Sequence, residues 1–247
     1  MKRFGLAGSV ILPLLVLVSA TLSCNFNETE EKTNLFNHYY SIEPELLLDS
    51  LKAGKTNVFF PIAGEPVDIP LDQQILVPWT QNDYLRIANA LYEFVNSKTL
   101  DSWQLNSMDF ASGCEEFDAG FQHGNFEFFK IVKTDERESR IALIININPR
   151  GKYVFITENK YYPKLVDWSS IDLEQNQLSA SDVLQIAENA GGQAKRLSVD
   201  NACNISIWFS PDSASYSGWV AHYYRRDDGI TLFQANIDPI KGEIYSP

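Results

Sequence analysis

A helix-start pattern occurs twice in the chain, about a hundred residues apart, and it constrains the fold more than any other feature. In TQNDYLRIANALYEFV, Thr80 and Asp83 have the spacing of a capping box, and apolar residues follow at helical spacing. SASDVLQIAENAGG repeats this plan with Ser179 and Asp182, and Gly191 is placed to end the second helix. The sequence therefore predicts two helices, each with one buried face.

Each predicted helix is followed by segments that are rich in aromatic and β-branched residues and separated by polar turns. The first set is SWQLNSMDF, NFEFFKIVK and RIALIININP, and the second is AKRLSVD, GWVAHYYRR and GITLFQANIDP. NINPRGKYVF and NIDPIKGEIY close the two sets. We therefore predict an internal duplication and an α+β fold, with two tandem copies of one helix packed on an antiparallel β-sheet. The alternative is a chance likeness between two helix-plus-meander segments.

The second copy resembles a PepSY domain, which has a helix of the form A..IA, a W.V.Y strand and a closing ID..TGE. The residues that carry the resemblance are Ile186, Ala187, Trp219, Tyr223, Ile237, Asp238, Gly242 and Glu243. The pattern departs at Ala221 and Lys241, and the first copy has Phe126 for the Trp and Asn148 for the Asp. The resemblance implies a non-catalytic envelope module that binds or restrains a partner, as in propeptides of thermolysin-like metallopeptidases and in envelope lipoproteins.

The first residues of the chain have the character of an export signal. Lys2 and Arg3 precede an apolar run and then small residues before Cys24. Ser23 and Cys24 match the bacterial lipobox, although Thr21 stands where Leu is usual. We expect cleavage before Cys24 and lipidation of its thiol, with an uncleaved membrane anchor as the alternative. Either outcome places the body outside the cytoplasm, anchored to the cell membrane or envelope, because basic residues stay on the inner side.

Composition and repeats together predict the division of the chain. The predicted segments are a signal peptide over 1–23, an acidic tether over 24–56, an arm plus the first repeat over 57–158, a linker over 159–177, and the second, PepSY-like repeat over 178–247. Nearly half of the residues are hydrophobic, so the chain can bury a sizeable core. The net charge of −12 repels phosphate backbones, and nucleic acid is therefore not expected as a partner.

Motifs for hydrolysis, phosphate binding and metal ligation are absent from the sequence, so we expect no catalytic residues, no metal and no cofactor. Cys114 and Cys203 follow the first predicted strand of each copy. We expect them to form a disulfide across a local two-fold axis in an oxidising compartment. Two separate buried thiols, or a metal site completed by His123, are the alternatives. The acidic residues Glu115, Glu116 and Asp118 are expected to form a solvated loop.

These features lead to a functional hypothesis: a lipid-anchored envelope protein whose duplicated module binds an exported protein or peptide, such as a peptidase that it restrains. Binding predicts exposed aromatic side chains on the sheet, and we select Phe126, Phe128, Trp219 and Tyr223. The alternatives are an envelope hydrolase with a carboxylate site between the two halves, and a structural spacer. Hydrolysis predicts two carboxylates that face one pocket.

Overall fold

The computed structural model describes residues 33–67, 69–70, 74–133, 138–161, 169–175, 178–210 and 218–245. The strands are β1 (Thr33–Ser41), β2 (Phe60–Ile62), β3 (Gln104–Gly113), β4 (His123–Lys133), β5 (Glu138–Asn148), β6 (Tyr153–Tyr161), β7 (Cys203–Ser210), β8 (Gly218–Arg225), β9 (Thr231–Ile237) and β10 (Ile244–Tyr245). The α-helices are α1 (Pro44–Lys52), α2 (Gln81–Asn96), α3 (Ala180–Ala187) and α4 (Gln193–Leu197). Two 3-10 helices, Leu100–Ser102 and Cys114–Ala119, flank β3.

The ten strands form one continuous antiparallel sheet in the order β10-β9-β8-β7-β3-β4-β5-β6-β1-β2. Two meanders, β3 to β6 and β7 to β10, meet where β3 pairs with β7 from Met108–Phe209 to Gly113–Asn204. The predicted α+β fold of two tandem helix-on-sheet copies is therefore wrong. The described part of the chain is dominated by a single sheet with four short helices. The reason is that the first strands of the two halves satisfy each other's edge hydrogen bonds, which joins the halves into one sheet.

Both predicted helix starts are confirmed. The Asp83 amide donates to Thr80 Oγ1 at 3.3 Å, and the Thr80 amide donates to Asp83 Oδ2 at 3.0 Å. Ser179 and Asp182 make the same two bonds at the start of α3. Each box satisfies amides that the first helical turn leaves without partners.

Gly191 interrupts the second helix as predicted, because its φ of 126° is not helical. The chain kinks there and then continues into a further short helix, α4. AKRLSVD, predicted as a strand, contributes to this helix, and the strand begins only at Cys203. A glycine accepts the positive φ without the steric cost of a side chain, so the helix bends at this point.

The predicted tether is wrong over its described part. β1 occupies Thr33–Ser41 and pairs with β6, and α1 follows it immediately. Tyr40, Ile42 and Leu47 are buried in the core, so this polar-looking segment contributes apolar anchors to the folded body. Residues 24–32 and the predicted signal peptide lie outside the described residues.

Among the residues that the structure describes, no helix is long and apolar enough to cross a membrane.

The described helices pack on one face of the sheet. The Ala180 amide donates to Gln81 Oε1 at 2.9 Å and so ties the start of α3 to the start of α2. Tyr84 of α2 lies against Gly124 of β4, where an added Cβ would stand 2.5 Å from the ring. Gly124 therefore lets the helix approach the sheet closely.

Cys114 and Cys203 form a disulfide, with their Cα atoms 5.3 Å apart, and both residues are buried. The sequence predicts this disulfide on the ground that the two cysteines occupy matching places in two copies related by a local two-fold axis. That reason is wrong, because the two positions are not equivalent. Cys114 follows the end of β3, whereas Cys203 begins β7. They meet because the two strands run antiparallel, which brings the end of one beside the start of the other.

We expect the double substitution Cys114→Ala and Cys203→Ala to lower the free energy of unfolding by about 2 to 5 kcal/mol. The bridge spans 89 residues, so its loss frees a large loop in the unfolded chain. Urea unfolding of the oxidised wild type and the variant measures the difference. Reduction of the wild type should give the same loss as the variant, and equal urea midpoints for all three samples would contradict the prediction.

Candidate functional site

The four aromatic residues selected for partner binding are all buried: Phe126 at 0% exposure, Phe128 at 6%, Trp219 at 0% and Tyr223 at 0%. Their side chains point toward the helices because successive residues of a strand alternate between the two faces of the sheet. Tyr223, for example, donates its hydroxyl proton to Glu188 at the end of α3, at 2.8 Å. These residues form the core and are not available to a partner, so that selection is wrong.

The opposite face of the sheet carries no described α-helix. Some of its side chains, such as Phe129 and Ala142, are buried, and others are half-buried. Strand register places six of them in one row that runs across the strands from β1 to β7. We call this row the transverse strip: Tyr39, Phe155, Asn146, Asn125, Asp109 and Trp208. Neighbouring strands lie about 4.8 Å apart, so the strip is roughly 24 Å long. It is aromatic at both ends and polar in the middle.

A cavity of about 420 Å³ lies at the β1 end of the transverse strip. It opens between the turn that joins β5 to β6 and the segment carrying Glu65 and Gln74. Tyr39 lines it, with its ring centroid 6.2 Å from that of Tyr153 and 4.5 Å from that of Phe155. Burial raises the pKa of Tyr39, and the neighbouring Glu65 and Tyr153 add to this effect. The Tyr39 phenol therefore stays protonated and can donate a hydrogen bond.

The middle of the transverse strip lies on the seam between the two halves. Asp109 belongs to β3, and Ser206 of β7 donates its hydroxyl proton to the Asp109 carboxylate at 3.2 Å. Burial raises the pKa of Asp109, although the nearby His123 and the bond from Ser206 act in the opposite direction. The carboxylate thus receives one neutral donor where a buried charge requires stronger compensation.

His123 of β4 lies beside Asp109 and is also desolvated. Burial lowers the pKa of His123, while the attraction of Asp109 opposes that shift. Asn146 Nδ2 lies 2.6 Å from His123 Nε2, so the amide donates and the ring nitrogen accepts. This bond requires the neutral imidazole with its proton on Nδ1.

Glu115 and Glu116, which follow Cys114, lie at one end of the seam and form ion pairs. Glu115 accepts from Arg226 Nη2 at 2.6 Å, and Glu116 pairs with Arg150. Arg226 also donates to the Cys203 carbonyl oxygen at 3.2 Å. The Glu115–Arg226 pair joins the two halves beside the disulfide. The bridge consumes both thiols of the alternative metal site, and no group of three potential ligands occurs within the described ranges.

The hydrolase alternative requires two carboxylates that face one pocket. Glu127 lies diagonally across from Asp109 on the same face, because Asp109 pairs with Asn125 and Glu127 with Ser107. The 420 Å³ cavity lies at the far end of the transverse strip, and among its described lining residues Glu65 is the carboxylate. Within the described residues, the carboxylate pair and the cavity therefore do not coincide.

Reasoning from the sequence did not select Asp109, Asn125, Asn146, Ser206 or Trp208. Their signal is present in the strand patterns, since single polar residues alternate with apolar ones in NSMDFASG and IININ. What the sequence lacks is the order of the strands. That order brings residues from six strands into one row.

Comparisons with protein-family models, with curated proteins and with solved structures found no match to this chain. The resemblance to a PepSY domain therefore remains a prediction.

We expect the stabilising effect of His123, relative to a His123→Gln variant, to be lost on acidification. The folded-state pKa of His123 lies below its ordinary value of 6.5, so its contribution is complete above that value. It disappears as pH falls through the folded pKa, because the buried ring then charges and loses its bond from Asn146. Urea unfolding between about pH 7.5 and pH 5 measures this effect.

The matched control is His38→Gln, on the exposed part of β1. Its stability relative to the wild type should change less over the same pH range. A difference between wild type and His123→Gln that is constant with pH would contradict the prediction.

Proposed function

We propose that this protein is a non-catalytic binding protein, tethered outside the cytoplasm by a lipid on Cys24. Its partner is an extended segment of an exported protein or peptide that lies along the transverse strip. The half-buried row of aromatic, amide and carboxylate side chains on the helix-free face carries this proposal. A row roughly 24 Å long matches about seven residues of extended peptide.

The chemistry of the transverse strip suits a peptide backbone. The amides of Asn125 and Asn146 each offer a donor and an acceptor, as a peptide group requires. The aromatic ends, Tyr39 and Trp208, supply rigid apolar area of the kind that dominates binding energy at protein interfaces. The partner would bind to side chains here, because both edges of the central strands are already paired within the sheet.

The disulfide agrees with the proposed location. Disulfides form and persist in oxidising compartments such as the bacterial periplasm and the cell surface. The Cys114–Cys203 bridge is buried and joins the two meanders at the seam. It therefore supports export, which the signal-like N-terminal sequence predicts independently. A PepSY-like module that restrains a peptidase would fit the same compartment.

Lipidation at Cys24 is tested by metabolic labelling with a radioactive fatty acid. We expect label in the wild-type protein and its partition into detergent, because the residues before Cys24 are those of a lipobox-like cleavage site. Cys24→Ala should carry no label, and a Thr21→Leu variant should be labelled at least as well as the wild type. A wild-type protein without label would refute the anchor.

The proposed binding face is tested by site-specific photocrosslinking in the producing cells. A photoreactive phenylalanine at position 208 or 39 lies at one end or the other of the transverse strip. We expect each to give a discrete adduct with one exported protein. The same group at position 93, on the exposed face of α2, is the control and should give none.

Three results would count against the proposal. An equal adduct from position 93 would show unspecific contact, and no adduct from either strip position would remove the binding face. An adduct that resists proteases and is lost after periodate oxidation would identify a glycan instead of a protein partner.

A further inference from the structure

The centre of the transverse strip combines a carboxylate with an aromatic ring on the neighbouring strand. Asp109 pairs in register with Trp208 of β7 on one side and with Asn125 of β4 on the other. Residues that face each other in this way have Cβ atoms about 4.5 to 5.5 Å apart. All three side chains are half-buried on the helix-free face. We define these three residues as the central subsite.

We propose that the central subsite binds a cationic side chain, lysine or arginine, of the partner segment. Asp109 would pair with the cation, Trp208 would present its ring to it, and the Asn125 amide oxygen would accept a further hydrogen bond. The inference rests on the proposed function, which it deepens by naming the chemistry of the residue that the strip selects.

The first argument is the state of Asp109. A carboxylate removed from water is costly unless opposite charge and hydrogen bonds replace the lost hydration. Within the described part of the chain, Asp109 receives a hydrogen bond from Ser206 and lies near His123, whose pKa burial lowers. Burial also raises the pKa of Asp109. An ammonium or guanidinium group at this position would supply the charge that the site lacks.

The second argument is the surroundings of Asp109. A tryptophan ring attracts cations through its quadrupole, most strongly where water is partly excluded. Glu127 lies diagonally across from Asp109 on the same face and accepts hydrogen bonds from Asn106 and Ser107. Arg226 and Arg150 lie at the end of the seam, where they pair with Glu115 and Glu116. The ring and the carboxylate therefore offer a cation two complementary groups at the centre of the strip.

The third argument is the charge of the whole chain. The net charge of −12 attracts basic partners over distances comparable with the Debye length. Such a field steers a cationic segment toward the protein but does not choose its position. The central subsite supplies that position, since it places a carboxylate and an aromatic ring together on the helix-free face.

The experiment uses the full-length protein in detergent micelles and capped peptide pools about nine residues long. The pools differ at the central position, which is Lys, Arg, norleucine or Glu, and share a neutral polar mixture elsewhere. Binding is followed through the indole N–H signal of Trp208, which a Trp208→Phe variant assigns. We expect the Lys and Arg pools to bind at least about tenfold more tightly than the norleucine and Glu pools.

Substitutions then test the roles of the residues. Asp109→Asn keeps the shape of the side chain and should abolish the tenfold preference, whereas Glu93→Gln on α2 is the matched control and should retain it. Trp208→Leu lacks the indole signal, so its binding is followed by isothermal titration calorimetry beside the wild type. This variant should weaken binding of the basic pools and is an independent test if Asp109→Asn does not fold. Rising salt should weaken binding of the basic pools more than binding of the norleucine pool.

The outcomes separate the two proposals. If all pools shift the Trp208 signal with equal affinity, the cation subsite is refuted while peptide binding on the strip stands. If no pool shifts that signal, the cation subsite is also refuted, and crosslinking from positions 208 and 39 decides the proposed function by itself. A preference for basic pools that survives Asp109→Asn would refute the role of the carboxylate.

Discussion

The pairing of β3 with β7 is the interaction on which the rest of this structure depends. Each strand begins a meander, and without this pairing each would leave a row of unsatisfied backbone groups at an edge. The pairing joins two meanders into one sheet, and the buried disulfide and the Glu115–Arg226 pair hold its end. The helices then cover one face of a surface that neither half provides alone.

Alternation along the strands converts this pairing into two faces with different chemistry. Phe126 and Trp219 point toward the helices and become core, while their neighbours Asn125 and Val220 belong to the opposite face. Beyond the register shift between Leu105 and Ser107 of β3, the same parity runs through β4, β3, β7 and β8. A row of side chains can therefore cross the seam, and the binding face exists only because the halves share one sheet.

The polar centre of that face is energetically unusual. Asp109 and His123 are both desolvated, and burial disfavours the charged form of each. Their hydrogen bonds to Ser206 and Asn146 hold both in place without fully replacing water. An apolar pair would stabilise the sheet more simply. Desolvated titratable groups of this kind are typical of functional sites, which supports a binding role for this face.

The sequence by itself determined the local structure: both capping boxes, the existence of most strands and the helical register of the buried residues. These features depend on neighbours within a few residues, so periodicity reveals them. Reasoning from the sequence misjudged β1, α1 and the helix after Gly191, where distant packing overrides local composition. Only the tertiary structure decided which alternate side chains of each strand face the helices. It also decided that Cys114 lies beside Cys203 and that Asp109 lies beside Trp208. These contacts depend on the order of the strands in the sheet. That order is made by backbone hydrogen bonds, which every residue type can form in the same way, so the sequence does not reveal it.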